Sequence, residues 1–173
     1  MHSTDFASTM AKTRLRRRVG DVFRIPLRTG FAYVQYVWEE KGRFKIGPLV
    51  RVLPGTFIDE SEDLGELVRQ PELFCAFYPI YQLAPLGFAS YAENHAVPER
   101  FKTQPLLRFP KQYRMTKDNR MSVSSWAIWD GTVEQVFSPL PKEYWCLPIV
   151  QLLTGNLLAV RIEAGWVPSD GLD

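Results

Sequence analysis

A chain of 173 residues, 46% hydrophobic and 13% aromatic, can bury a sizeable core as one domain without metal or disulfide staples. Its formal net charge of +2 excludes whole-molecule attraction to nucleic acid, anionic lipid or acidic substrate, so any such attraction must come from a local patch. No run of about 18 uncharged apolar residues occurs, and no membrane span is expected.

In chain order, residues 1–13 are polar and read as a disordered tail ahead of a single β-rich domain over 14–168. Arg14-Leu15-Arg16-Arg17-Arg18 is the densest basic run: a solvated lead-in to the first strand, or an arm for phosphates. An Asp and strand-like residues follow it instead of the apolar core of a secretory signal, so the expected location is cytoplasmic.

Three apolar segments, Val22–Leu27, Phe31–Trp38 and Phe44–Leu53, then read as an antiparallel meander. Each intervening turn carries a Gly, Gly30 or Gly42, suited to the positive φ of a tight turn. Both faces of Phe31–Trp38 are apolar apart from Gln35, which marks a central, doubly covered strand. Pro26 and Pro48 cannot donate to a ladder and belong at edges, bulges or strand ends, so the sheet should bend strongly.

A helix is predicted over about 61–70, with Ser61 as cap, acids in its first turn and Pro71 beyond its end. Leu73–Leu83 reads as a strand, and Ala84–Pro110, broken by four prolines, as loop and extended chain. Asp130-Gly131 between two alternating runs predicts a two-residue hairpin loop. Tyr144–Leu153 reads as a last strand. A second helix follows over 155–164, with Thr154 as cap, Gly165 as left-handed C′ residue and Trp166 folding back. The fold class is therefore α+β and mostly β: a strongly bent antiparallel sheet or small barrel with two short helices.

Chemistry-bearing motifs are scarce. The chain holds no phosphate loop, dinucleotide fingerprint, nucleophile elbow, paired metal histidines or CxxC, so neither enzyme activity nor a cofactor is expected. His95 sits in a loop reading without Cys or His at ligand spacing, so no metal is expected there. Cys75 and Cys146 have apolar neighbours and read as buried, reduced thiols. Asp59, Glu60, Glu62, Asp63 and Glu66 crowd five acids into eight positions without the spacing of a calcium loop: a solvated helix face or a partner-binding patch. Trp126 and Trp129 should point to opposite faces of their strand, and whichever is exposed is a candidate protein-binding anchor.

Gly20-Asp21-Val22-Phe23-Arg24-Ile25-Pro26-Leu27 followed by Gly30-Phe31-Ala32-Tyr33-Val34-Gln35-Tyr36-Val37, the later Trp126-Ala127-Ile128-Trp129-Asp130-Gly131 and the closing Arg161-Ile162-Glu163-Ala164-Gly165-Trp166 resemble the immunity protein 26 family of bacterial polymorphic-toxin systems. The likeness spans roughly 17–168. It implies a small cytoplasmic protein that binds and neutralises a cognate toxin, with no catalytic residues to carry over. Two rival expectations are a nucleic-acid-binding small β-barrel, akin to the endoribonucleases of toxin–antitoxin pairs, and a small-molecule pocket in a barrel mouth.

Overall fold

The computed structural model describes residues 16–59 and 63–172. The 1–13 tail, Arg14 and the expected cap Ser61 lie outside them. Strands β1 (Asp21–Pro26), β2 (Phe31–Glu40), β3 (Gly47–Val52), β4 (Phe74–Phe77) and β5 (Ser90–Asn94) form one antiparallel sheet in the order β4-β3-β2-β1-β5. Strands β6 (Leu107–Met115), β7 (Met121–Trp129) and β8 (Glu134–Phe137) form a second, three-stranded antiparallel sheet. The class is α+β, mostly β. It is not a barrel: β4 and β5 end opposite edges of the larger sheet and do not pair with each other.

As the alternation requires, β2 is central and covered on both faces. Ala32 and Val34 join Phe23, Ile25, Val50, Val52, Ile80, Leu158 and Ile162 in one core cluster. On the other face Tyr33 packs with Leu53, Leu64 and Leu67, while Val37 packs with Leu49, Phe101 and Leu107. The smaller sheet thus covers one end of this face and the first helical turn covers the other, with Gln35 between them. Bending follows from register shifts between Tyr36 and Trp38 and between Val22 and Phe23, and Pro26 closes its strand.

Gly30 takes φ +74 as its turn demands. Gly42 does not take the positive φ expected of it; Lys45 (φ +51) and Gly47 (φ +90) do. The third strand consequently starts at Gly47, and Phe44 and Ile46 pack between the sheets instead of joining a ladder.

Several expected elements are shorter or different. α1 spans only Leu64–Leu67, capped by Asp63, whose carboxylate accepts from the amides of Gly65 (2.8 Å) and Glu66 (3.3 Å). The strand expected over Leu73–Leu83 stops at Phe77: Pro79 cannot donate to a ladder, and Ile80–Leu83 turns into α2. The proline-broken stretch contains β5, whose weakly apolar Ser-Tyr-Ala-Glu-Asn is recruited by pairing with β1.

Tyr144–Leu153 is not a strand. A 3-10 turn at Lys142–Tyr144 precedes extended chain interrupted by Pro148, whose parallel bridges, Ile149 to Arg108 and Leu152 to Phe77, tie one sheet to the other. The Asp130-Gly131 hairpin is present, but Trp129 pairs with Glu134, which leaves a four-residue loop. Asp130 has not taken the positive φ of the expected turn; its carboxylate accepts from Val133 N (2.6 Å), Thr132 N (2.7 Å) and Thr132 Oγ1 (2.9 Å), which holds its pKa below the usual range.

The last helix, α3 (Leu157–Glu163), starts after Asn156 and lacks a side-chain cap, so Thr154 is not its N-cap. Its end is as expected: Gly165 has φ +63, Trp166 N donates to Arg161 O (3.0 Å), and the indole packs edge-on against Phe74. Of the two thiols, Cys75 is partly covered and Cys146 is exposed, so the expectation of two buried thiols fails for Cys146.

Packing this dense perturbs the phenols. Burial first, and then the nearby Glu39 carboxylate, pushes Tyr36 up to about 12; burial alone pushes Tyr78 up to about 12. Both phenols stay protonated in the fold after the unfolded chain has ionised near 10. Their contribution is therefore complete below pH 10 and is lost as pH rises toward 12, by roughly 2–3 kcal/mol for each. Urea titrations below pH 10 and near pH 12, alongside phenolate absorbance, check this; ionisation of all seven tyrosines near pH 10 with no loss of stability would contradict it.

Candidate functional site

The expected site residues are not brought together. Among the acids, Glu60 and Glu62 lie outside the described residues, Asp59 is exposed, Asp63 is occupied with the α1 amides, and Glu66 pairs with Arg69 one turn on. Trp126 is 4% exposed, so it cannot serve as an exposed anchor. The strand's alternation turns it, with Ile128, to the face covered by Leu140, Tyr144, Trp145 and Leu147. Trp129 is half-buried on the opposite face, where the Arg43 guanidinium lies 4.7 Å from its ring and donates to Glu134 (2.7 Å).

The Gly-Asp pair at the head of β1 is architectural. Gly20 (φ +100) donates to Tyr36 O (2.8 Å) and accepts from His95 N (3.0 Å). Asp21, nearly fully buried, accepts from Tyr81 OH, Asn94 Nδ2 (2.8 Å) and Arg18 N (3.1 Å). Arg16 to Arg18 are exposed, yet Arg17 reaches Glu39 (3.3 Å) and lies 5.5 Å from the Tyr81 ring, an aromatic supplied from far along the chain. His95 Nε2 lies 2.8 Å from Glu93, and its carbonyl accepts from Gln35. Among the described residues, no three His, Cys, Asp or Glu side chains are grouped to hold a metal ion.

Among the described residues two arginines are fully buried. Arg51 on β3 donates to Gln35 Oε1 (2.8 Å), Gln70 O (3.3 Å) and Val68 O, with Glu72 3.8 Å away. Burial lowers its pKa against the opposing pull of Glu72. Arg108 on β6 has no acid beside it: it donates to Leu147 O (3.1 Å) and Pro168 O, stacks 4.9 Å from the Trp126 ring, and leaves Nη1 without a partner. Burial lowers its pKa to about 10. It fastens the 142–147 turn and the segment at Pro168 beneath the smaller sheet.

That sheet carries the feature sequence reasoning missed. The β6–β7 hairpin runs beyond its cover: Lys111–Met115 and Lys117–Met121 are exposed. Val123 packs on Trp126 and Leu140 and pairs with Tyr113 on β6; the next pair on the same face is Met115 with Met121. An apolar stripe therefore leaves the core and continues into solvent, with Tyr113 57%, Met115 59% and Met121 69% exposed. Where cover and stripe meet, Arg114, Val123, Trp126, Ser138, Leu140 and Trp145 are among the residues lining a cavity of about 330 Å³. Arg114, Lys117 and Arg120 surround the tip against the single acid Asp118. The alternation Tyr113-x-Met115 and Met121-x-Val123 about a turn closed by Asn119 (φ +59) was the available signal.

No helix among the described residues is long and apolar enough to cross a membrane. No family model matches the chain, and neither a curated protein nor a solved structure matches it.

Proposed function

We propose that this chain is a non-catalytic, cytoplasmic immunity protein that neutralises a cognate bacterial toxin by protein–protein contact. The β1–β2 pattern supplies the resemblance, and one observation carries the contact: a core face that runs uncovered along β6–β7, bearing Tyr113, Met115 and Met121 within a basic rim. Patches of exposed aromatic and Met residues with a charged border are what protein interfaces use, the border steering encounter and the apolar centre supplying affinity. Asp63 and Glu66 are engaged with the α1 amides and Arg69, and the two tryptophans are packed, so these four contribute little to this surface.

The test is titration against the product of the neighbouring reading frame, with protection of cells that express it. Tyr113→Ala combined with Met121→Ala is expected to weaken binding by about 100-fold or more while leaving the melting temperature unchanged, because both side chains are exposed. No binding and no protection by the native chain would remove the proposal.

Arg114, Lys117 and Arg120 around Tyr113 also suit a nucleic-acid strand, the second reading. Met115 and Met121 give phosphate nothing to bind, and that reading requires affinity that falls steeply with salt.

A further inference from the structure

The hairpin has an edge as well as a face. β6 is the outer strand of its sheet, and the start of that edge is already occupied: Arg108 N donates to Pro148 O (2.9 Å) and Val150 N donates to Arg108 O (2.8 Å). Here the chain adds a strand-like segment to its own sheet, in parallel. Past Pro110 that segment leaves to bridge Phe77, and along Lys111–Met115 no backbone hydrogen bond outside the β6–β7 ladder is present among the described residues. An uncovered edge offers a row of free N–H and C=O groups to any extended chain that can approach it.

The side chains decide which chain that is. Lys111 is already paired with Glu134 (2.5 Å), so the charge that selects a partner comes from Arg114 on this edge with Lys117 and Arg120 at the turn, against one acid, Asp118. A second copy of β6 would set like charges opposite one another, which disfavours self-pairing. An acidic strand would find opposite charges there instead. Alternate residues of such a strand would lie beside Tyr113 and Met115, widening the apolar stripe on the side of β6 away from β7.

We infer that the outer edge of Lys111–Met115 is a β-addition site for an extended segment of another protein in which acidic residues alternate with apolar ones. The inference rests on the reading of the chain as a protein-binding scaffold and specifies how its partner docks.

The probe is an end-capped peptide alternating Glu and Val, with a matched peptide carrying Lys for Glu, added to the full chain while backbone amide exchange is followed. At saturation the Glu peptide is expected to slow exchange within 111–115 by about tenfold or more, and the Lys peptide to leave it unchanged. Arg114→Glu with Arg120→Glu is expected to reverse that preference. Equal protection by both peptides, protection only away from β6, or none at all would overturn the inference. So would protection that appears with protein concentration alone, the mark of a second copy, or that single-stranded RNA produces in place of the peptide. The two proposals fail separately. If the neighbouring reading frame's product binds but the Glu peptide leaves 111–115 unprotected, strand addition falls and neutralisation stands; the converse removes neutralisation and leaves the edge site.

Discussion

Arg51→Met is expected to lower the unfolding free energy by about 3–5 kcal/mol, the range for breaking a buried, hydrogen-bonded charge site. The side chain is 1% exposed and donates to Gln35 Oε1, Gln70 O and Val68 O, so the substitution strands buried acceptors that each cost about 1–3 kcal/mol unless water enters. Gln35 in turn donates to His95 O (2.9 Å) and Ala96 O (3.3 Å), so the loss reaches from β3 through β2 to the chain leaving β5. Arg51→Lys should restore less than half of it, since an ammonium cannot reproduce the planar fork.

The same change at Arg108 is the control. That guanidinium has no acid and an unpartnered Nη1, and its loss strands Leu147 O and Pro168 O but no side-chain partner, so an apolar replacement of similar volume is expected to cost less than at Arg51, about 1–3 kcal/mol. Urea titration of both variants decides. A loss at Arg51 under about 1 kcal/mol, or an equal loss at both sites, would show that satisfied hydrogen bonding does not distinguish them.

Gly20→Ala is expected to cost about 2–4 kcal/mol. At φ +100 a Cβ would stand 2.2 Å from His95 O and 3.1 Å from Asn94 Nδ2, so β5 must move away from the head of β1. That movement stretches the bond from His95 N to Gly20 O and loosens the cage around Asp21. The expected readings are a lower melting temperature and faster amide exchange in β5, with partner affinity unchanged wherever the variant is still folded. Unchanged melting with lost binding would instead make the Gly-Asp pair a contact surface and sink the structural account of it.

Much of the larger sheet was legible because its physics is local. Alternation in Phe31–Trp38 specifies a doubly covered strand, Gly30 specifies the first turn, and Gly165 with Trp166 specifies how α3 ends. Elements were misread where pairing overrode propensity. Ser90–Asn94 has little strand character but finds β1, whereas the apolar Tyr144–Leu153 is divided by Pro148 and serves as cover and bridge. The candidate acids were legible as composition, and Asp63-x-x-Glu66 was a local helix-start signature that the choice of Ser61 as cap passed over; it is this cap that spends the Asp63 carboxylate on α1.

What the residue order determined by itself is the fold class, the central place of β2, the β7–β8 hairpin and the opposite faces of Trp126 and Trp129, all consequences of period-two alternation and glycine's backbone freedom. What only the tertiary structure decided is which surfaces remain after packing. Whether Trp126 is an anchor or core depends on where the 138–147 segment lies, and whether Tyr113 and Met121 are core or surface depends on that segment stopping at Val123. Burial belongs to contacts between distant segments, and spacing along a single strand carries no record of them.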